Sequence, residues 1–91
     1  MKYEIQRTSQ FKKDYKTAVK RGCDAEQLKK VVTLLAYGKA LPEEYKDHSL
    51  SGKYAGYREC HIKPDWLLVY KIIENVLILS LYRTGTHSDL F

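Results

Sequence analysis

The chain has 91 residues, 44% hydrophobic and 30% charged, which leaves room for one domain with one modest core and excludes a disordered polyelectrolyte. Its net charge of +5 is unevenly placed, with ten Lys/Arg against four Asp/Glu in residues 1–40 and six against seven in residues 41–91. A basic half suits a polyanionic partner such as nucleic acid, or an acidic protein segment, and charge alone fits a solubilising surface equally well. No apolar run approaches a bilayer span and MKYEIQRTSQF has no apolar signal region, so the cytoplasm is the expected location.

In chain order, Tyr3 and Ile5 alternate with Lys2, Glu4 and Gln6, which predicts a short half-buried strand. Thr8 and Ser9 offer an N-cap to a helix carrying Phe11, Tyr15, Ala18 and Val19 on one face, and Gly22 ends it. Lys12, Lys16 and Lys20 recur every four residues on a different face, so the helix presents a cationic stripe. Asp24 with Gln27 has the form of a capping box before a second helix, whose apolar face is Leu28, Val31, Val32 and Leu35 and whose stop is Gly38. The short connection predicts an antiparallel helical hairpin.

LPEEYKDHSLSGK (41–53) has no period of 2 or 3.6 and reads as a long ordered loop. Three strand-like runs follow, Tyr54–Ile62, Trp66–Ile72 and Val76–Tyr82, with turns at Lys63-Pro64-Asp65 and Glu74-Asn75. The expected fold is α+β: a two-helix hairpin on one face of a mainly antiparallel sheet, ordered β-α-α-β-β-β, as a single domain over residues 1–91. In the first run Tyr57, Glu59 and His61 share one face and Arg58, Cys60 and Ile62 the other. If Cys60 and Ile62 face the helices, the first trio lines an open face. WLLVYKI and VLILSLY are apolar on both faces, as for central strands or strands covered by a partner. Cys23 and Cys60 form no metal-binding spacing and read as free thiols.

Chemistry concentrates in three histidines, His48, His61 and His87, all expected in loops or at strand ends, with Asp65 and Arg83 near them in the topology. A three-histidine zinc site is one option, but no HxH or HxxxH pair preorganises it. The other is metal-free RNA cleavage: one group takes the proton of a ribose 2′-OH, a second protonates the departing 5′ oxygen, and a cation holds the phosphate. Histidine suits both transfers because its ordinary pKa of about 6.5 lies near neutrality. Arginine suits the phosphate because its guanidinium donates two parallel hydrogen bonds. Trp66 and Phe91 offer rings for splayed bases, with a core role the alternative for Trp66.

YKDHSL (45–50), GYRECHIKPDWLLVY (56–70) and RTGTHSDLF (83–91), in that order after two helices, resemble the YafQ-type branch of the RelE/ParE toxin superfamily over essentially the whole chain. The resemblance implies a RelE-like fold akin to small microbial ribonucleases. It also implies the toxin of a type II toxin–antitoxin pair, a ribosome-dependent endoribonuclease that cleaves mRNA without a cofactor or metal. A cognate antitoxin would neutralise it, and operator DNA would be reached only through that antitoxin. The family's functional set falls on His48, His61, Asp65, Trp66, Arg83, His87 and Phe91. His87 is the favoured general acid or base, Arg83 the phosphate ligand, and His48, His61 and Asp65 the supporting groups. Lys12 and Lys16 become candidates for RNA contact. Two other readings remain: a non-enzymatic gyrase inhibitor like the ParE branch, which lacks this histidine set, and a basic RNA-binding module without turnover.

The last nine residues carry the sharpest expectation. Arg83 is expected to close the last strand at the rim of the open face, and Gly85 to turn the chain so that His87 returns toward His61 and Asp65. Phe91 is then expected inside the site.

Overall fold

The computed structural model describes residues 1–91 as a five-stranded sheet with two helices on one face and a short third helix on the other. The elements are β1 (Glu4–Arg7), α1 (Ser9–Lys20), α2 (Ala25–Ala36), β2 (His48–Ser49), β3 (Arg58–Lys63), β4 (Trp66–Ile73), β5 (Ile78–Gly85) and α3 (His87–Leu90). Strand order is β1-β5-β4-β3-β2, antiparallel except for the parallel pair β1–β5. The expected α+β architecture is present, with β2 and α3 added to it. The segment read as a long ordered loop holds β2 and two single turns of 3₁₀ helix, Glu43–Tyr45 and Gly52–Tyr54.

Local chemistry sets the helix ends. The Thr8 hydroxyl accepts from the Phe11 N–H at the start of α1, and the Asp24 carboxylate from the Glu26 N–H at the start of α2. Past the two helices, Gly22 and Gly38 take φ of +91° and +74°, conformations that cost a residue with a Cβ.

Burial divides into two unequal cores. Phe11 and Ala18 of α1 and Leu28, Val31, Val32, Leu35 and Ala36 of α2 pack on Cys60, Ile62, Trp66, Leu68, Tyr70, Leu79 and Leu81 of the sheet. On the opposite face Leu67, Val69 and Leu90 form a small second core under Leu50, Tyr57 and Tyr82. The doubly apolar strands are thus central, and the chain's own 50–57 segment and α3 cover their second face. Burial in the main core pushes the Cys60 thiol up to about 12, so it stays protonated and inert.

Trp66 belongs to this main core, at 5% exposure, and its indole N–H donates to the Thr84 hydroxyl at 2.9 Å. The expectation that Trp66 offers a stacking surface to RNA is therefore corrected. The alternating residues Trp66, Leu68 and Tyr70 all face the helices, where no base has access.

Register carries two irregularities. His61 pairs with Leu67 but Lys63 with Trp66, so Ile62 is an extra residue beside the Pro64-Asp65 turn. Proline fixes φ near −65° and so bars the mirror-image turns that suit a two-residue hairpin; the extra residue accommodates the difference in twist. On β5, Arg83 pairs with Val69 and Leu81 with Tyr70, which leaves Tyr82 as a bulge.

β1 ends opposite Leu81, and beyond that point α1 takes over the edge of β5. The Thr8 hydroxyl donates to the Tyr82 carbonyl at 2.7 Å, and the Thr84 N–H donates to Asp14 at 3.2 Å. Asp14 also accepts from Nε and Nη2 of Arg83, each at 3.0 Å. Burial opposes ionisation of Asp14, yet the hydrogen bonds from Arg83, Gln10 and the Thr84 N–H outweigh it and hold its carboxyl below the usual range. A second ion pair fixes α3 to the same helix: Arg21 Nη1 lies 2.6 Å from Asp89. The Arg21 hydrogen bond and the Thr86 N–H lower the Asp89 carboxyl to about 2.

A carboxyl depressed on folding contributes stability above its unfolded value near 4 and loses that contribution as pH falls through its folded value. The melting temperature is therefore expected to drop between about pH 4 and pH 2, and Asp89→Asn is expected to flatten part of that drop. Thermal melts across this range check it; an unchanged slope in the variant removes Asp89 from the acid transition.

Candidate active site

β2 is only two residues long but sets the first contact, because His48 lies directly opposite Glu59 in its register with β3. His61 follows Glu59 by two residues and shares its face. Leu67 of β4 pairs with His61 on one side and Gly85 on the other, so the chain that leaves β5 emerges over the same end of the sheet as His61. Gly85 is needed there because a Cβ would meet Asp89 Oδ2 at 2.8 Å. Thr86 then caps α3 in a reciprocal box with Asp89, and His87 is the first helical residue.

The three imidazoles consequently form a row. The rings of His48 and His61 are 6.3 Å apart, and those of His61 and His87 5.8 Å. Glu59 lies beneath them, its Oε1 3.5 Å from His48 Nε2 and 3.8 Å from His61 Nε2. Side-chain exposure rises from 5% at Glu59 and 19% at His61 to 49% at His48 and 58% at His87, giving a site with a floor and a rim. Asp65, in the β3–β4 turn, places Oδ1 3.6 Å from His87 Nδ1 and 3.4 Å from the His87 backbone nitrogen. The return of His87 toward His61 and Asp65 is thus present.

His48 is held through its neighbours. Its Nδ1 is 2.7 Å from the Lys46 carbonyl, which makes Nδ1 the donor in the neutral tautomer and leaves Nε2 toward Glu59. The adjacent Asp47 accepts from Arg58 Nη2 at 2.8 Å and from the Tyr70 hydroxyl. That bond and burial raise the Tyr70 phenol well above its usual range, burial being the larger cause. Asp47→Ala leaves Arg58 and Tyr70 unpaired. It is expected to cost about 1–3 kcal/mol in urea denaturation and to shift the His48 ring resonances; a spectrum with His48 unmoved separates the anchor from the site.

Other sequence candidates lie outside this row. Arg83 sits within β5 rather than at its end, and its polar contacts are with Asp14 of α1 instead of an imidazole. Arg83 thus keeps the sheet face of its pairing partner Val69, while its guanidinium turns into a groove between α1 and β5 rather than toward the histidines. The pairing with Asp14 uses Nε and Nη2 and leaves Nη1 uncommitted. Phe91 is 57% exposed, its ring 6.3 Å from that of His87 and edge-on to Tyr54 at 5.3 Å. It lies at the margin of the site, not enclosed within it. Lys12 and Lys16 are exposed on α1, as expected.

Sequence reasoning placed Glu59 on the correct face but gave it no role. Its Oε2 is buried without a hydrogen-bond partner, an uncommon condition for a carboxylate. Asp14 was missed because its partner lies 69 residues away; α3 was missed although Thr86-His87-Ser88-Asp89 has the form of a capping box. Glu59, His61 and His87 also bring one ligand atom each within 4.8 Å of one another, a set that suits a divalent transition cation.

Comparison with known proteins gives the same picture. A family model described as the bacterial toxin of a type II toxin–antitoxin system, YafQ, matches residues 3–91. The mRNA interferase toxin YafQ of Escherichia coli (strain K12) is 45% identical over 89 residues, 97% of this chain and 95% of that one. The toxin in the crystal structure of the E. coli DinJ–YafQ complex superposes with a TM-score of 0.89 at 44% identity, covering 98% of each chain. The crystal structure of a metal-bound toxin from Helicobacter pylori gives 0.92 at 47% identity, covering 98% of this chain and 99% of that one. The chain belongs to the YafQ family of toxins of bacterial type II toxin–antitoxin systems.

Proposed function

We propose that this toxin is an endoribonuclease, an mRNA interferase that cuts mRNA on the translating ribosome by acid–base catalysis. The observation that carries the reading is the row of three imidazoles over the buried Glu59 carboxylate, with Asp65 against His87. One group of this row removes the 2′-OH proton, and the oxygen attacks the adjacent phosphorus. A second gives a proton to the departing 5′ oxygen. The products are a 2′,3′-cyclic phosphate and a 5′-OH, and one proton has been taken up and one delivered. His87, the most exposed imidazole, is the main proton-transfer group; its contact with Asp65 orients the ring. His61 and His48 supply the complementary transfer and position the ribose, with Glu59 steadying any charge they acquire. Arg83 meets phosphate through Nη1, and Lys12 and Lys16 extend the basic surface toward RNA.

A cognate antitoxin is the expected protein partner, as DinJ is for the E. coli toxin, and operator DNA is reached through it. The gyrase-inhibitor reading and the RNA-binding module both leave the histidine row without a role. The test is incubation of toxin stripped of metal with EDTA and then freed of the chelator, with mRNA alone and on programmed ribosomes in magnesium buffer, followed by analysis of product ends. Cleavage on ribosomes with 2′,3′-cyclic phosphate ends is expected. Intact mRNA, or cleavage with 5′-phosphate ends, overturns the mechanism.

The placement of Glu59, His61 and His87 favours a second property, capture of a divalent cation at the same row, in keeping with the metal-bound relative. Such an ion would occupy the lone pairs that proton transfer requires and therefore inhibit. Zinc at micromolar concentration is expected to stop cleavage, with EDTA restoring it. Titration of the imidazole resonances with zinc reads occupancy directly.

A further inference from the structure

The groove between α1 and β5 encloses about 270 Å³ and is lined by two guanidiniums, each with a carboxylate of its own. Arg21, at the end of α1, grips Asp89 of α3 through Nη1 and Nη2, at 2.6 and 3.3 Å. Arg83 of β5 is gripped through Nε and Nη2 by Asp14 of α1. The acid–base chemistry gives Asp14 no part. We propose that Asp14 is a positioning residue for mRNA cleavage, which holds the Arg83 guanidinium by one edge so that its other edge meets the phosphate. The inference rests on the ribonuclease reading, in which Arg83 takes the phosphate, and extends it to a residue that touches no substrate.

Geometry carries the proposal. A guanidinium has its N–H donors in a rigid, planar fork. Nε and Nη2 share one edge of that plane, and Asp14 accepts one hydrogen bond from each at 3.0 Å. The opposite edge, Nη1 with the second N–H of Nη2, is left without a protein partner. It can form the parallel pair of bonds that a phosphate accepts. Asp89, the other carboxylate lining the groove, is taken up by Arg21 and by the Thr86 N–H at 2.9 Å, so it does not claim that edge.

Asp14 is built as a fixed anchor, not as a loose surface counter-ion. Only 9% of its side chain is exposed. Oδ2 accepts from Arg83 Nε and the Thr84 N–H, and Oδ1 from Arg83 Nη2 and the Gln10 amide at 3.0 Å. Four donors fill the acceptor sites of a carboxylate. The backbone beneath is fixed as well, since Thr84 is held by Asp14 on one side and its hydroxyl donates to the Leu67 carbonyl at 2.6 Å on the other. Arg83 is therefore held at both ends. A long side chain with much rotamer freedom to lose reaches the phosphate already ordered, which is how positioning lowers a barrier.

The test compares Asp14→Asn, which keeps the side chain's size but not its charge, with Arg83→Lys, which keeps the charge but loses the fork. Both variants and their combination are assayed as intact toxins on programmed ribosomes, with urea melts alongside. Asp14→Asn is expected to lower kcat at least tenfold and to change KM less than threefold, because the grip matters most as charge develops on the phosphate. Added to Arg83→Lys, it is expected to change kcat no more than twofold, since no fork remains to orient. Equal losses of kcat in both backgrounds assign Asp14 a structural role and overturn the proposal. So does an unchanged or raised kcat in folded Asp14→Asn, which makes the carboxylate a bystander or a competitor for the guanidinium. If Asp14→Asn does not fold, Asp14→Glu takes its place with the same expected outcomes, because one added methylene moves the anchor and keeps its charge. If the unmodified toxin cuts no mRNA, the ribonuclease reading falls separately. Asp14 is then tested through the Arg83 Nε–H resonance, titrated with an uncleavable 2′-deoxy oligonucleotide. A shift is expected in the unmodified toxin and not in Asp14→Asn; the same shift in both, or none in either, overturns the positioning role.

Discussion

His87→Ala is expected to reduce mRNA cleavage by about 10²–10⁴-fold, the usual worth of a positioned proton-transfer group, and to abolish growth arrest. The variant should remain folded. The imidazole is more than half exposed, and its contacts are with Asp65 and the neighbouring rings rather than with either core. Truncation of such a surface side chain shifts stability by no more than about 0.5 kcal/mol. The pairing of these two measurements, cleavage on programmed ribosomes and a urea melt, is what gives the result meaning. Loss of cleavage with an unchanged melt places His87 in the chemistry. Retained cleavage removes it and moves both proton transfers onto His48 and His61.

A chain ending at Thr86 is expected to lose cleavage entirely while keeping its sheet. The truncation removes His87, Phe91, the Asp89 carboxylate that pairs with Arg21, and Leu90 from the second core. Burial of a leucine is worth about 1.5–3 kcal/mol. Loss of the Arg21–Asp89 pair and of the Thr86–Asp89 cap adds a smaller contribution at neutral pH. The main core, with α1 and α2 on β3, β4 and β5, is untouched. A domain of this size has about 5–15 kcal/mol in hand, so the truncated chain should show a lower urea midpoint with the far-ultraviolet spectrum of a folded protein. Cleavage by that chain would contradict the active-site assignment. Global unfolding would show instead that the second core, small as it is, holds the sheet together.

How much of this was legible in the sequence depended on the range of each interaction. The helices were legible because their causes are local: Thr8 and Asp24 at the starts, glycines past the ends, apolar residues at helical spacing between them. The face shared by Glu59 and His61 was legible because strand alternation is strict. Alternation failed for β4, where Trp66 and Leu67 are both apolar and nothing local says which faces the helices. It was also insufficient for Arg83. The bulge at Tyr82 and the carboxylate of Asp14 decide where that guanidinium goes, and neither has a signature near residue 83. The histidine row itself was inferred from residue types and a family resemblance; the register that assembles it runs through Leu67, which no motif marks.

The parallel pairing of β1 with β5 has a bearing on how the toxin comes into being. The earliest strand of the chain finds its partner only in one of the last elements to be made, and His87 follows that partner directly. Contacts of such long sequence separation form late, because the whole intervening loop must close before they return any stability. Synthesis proceeds from the N-terminus, so a growing chain has its helices well before it has a sheet edge to close or an imidazole row to assemble. Until β5 and α3 have been made, the chain therefore has neither the partner that β1 needs nor the complete row of imidazoles.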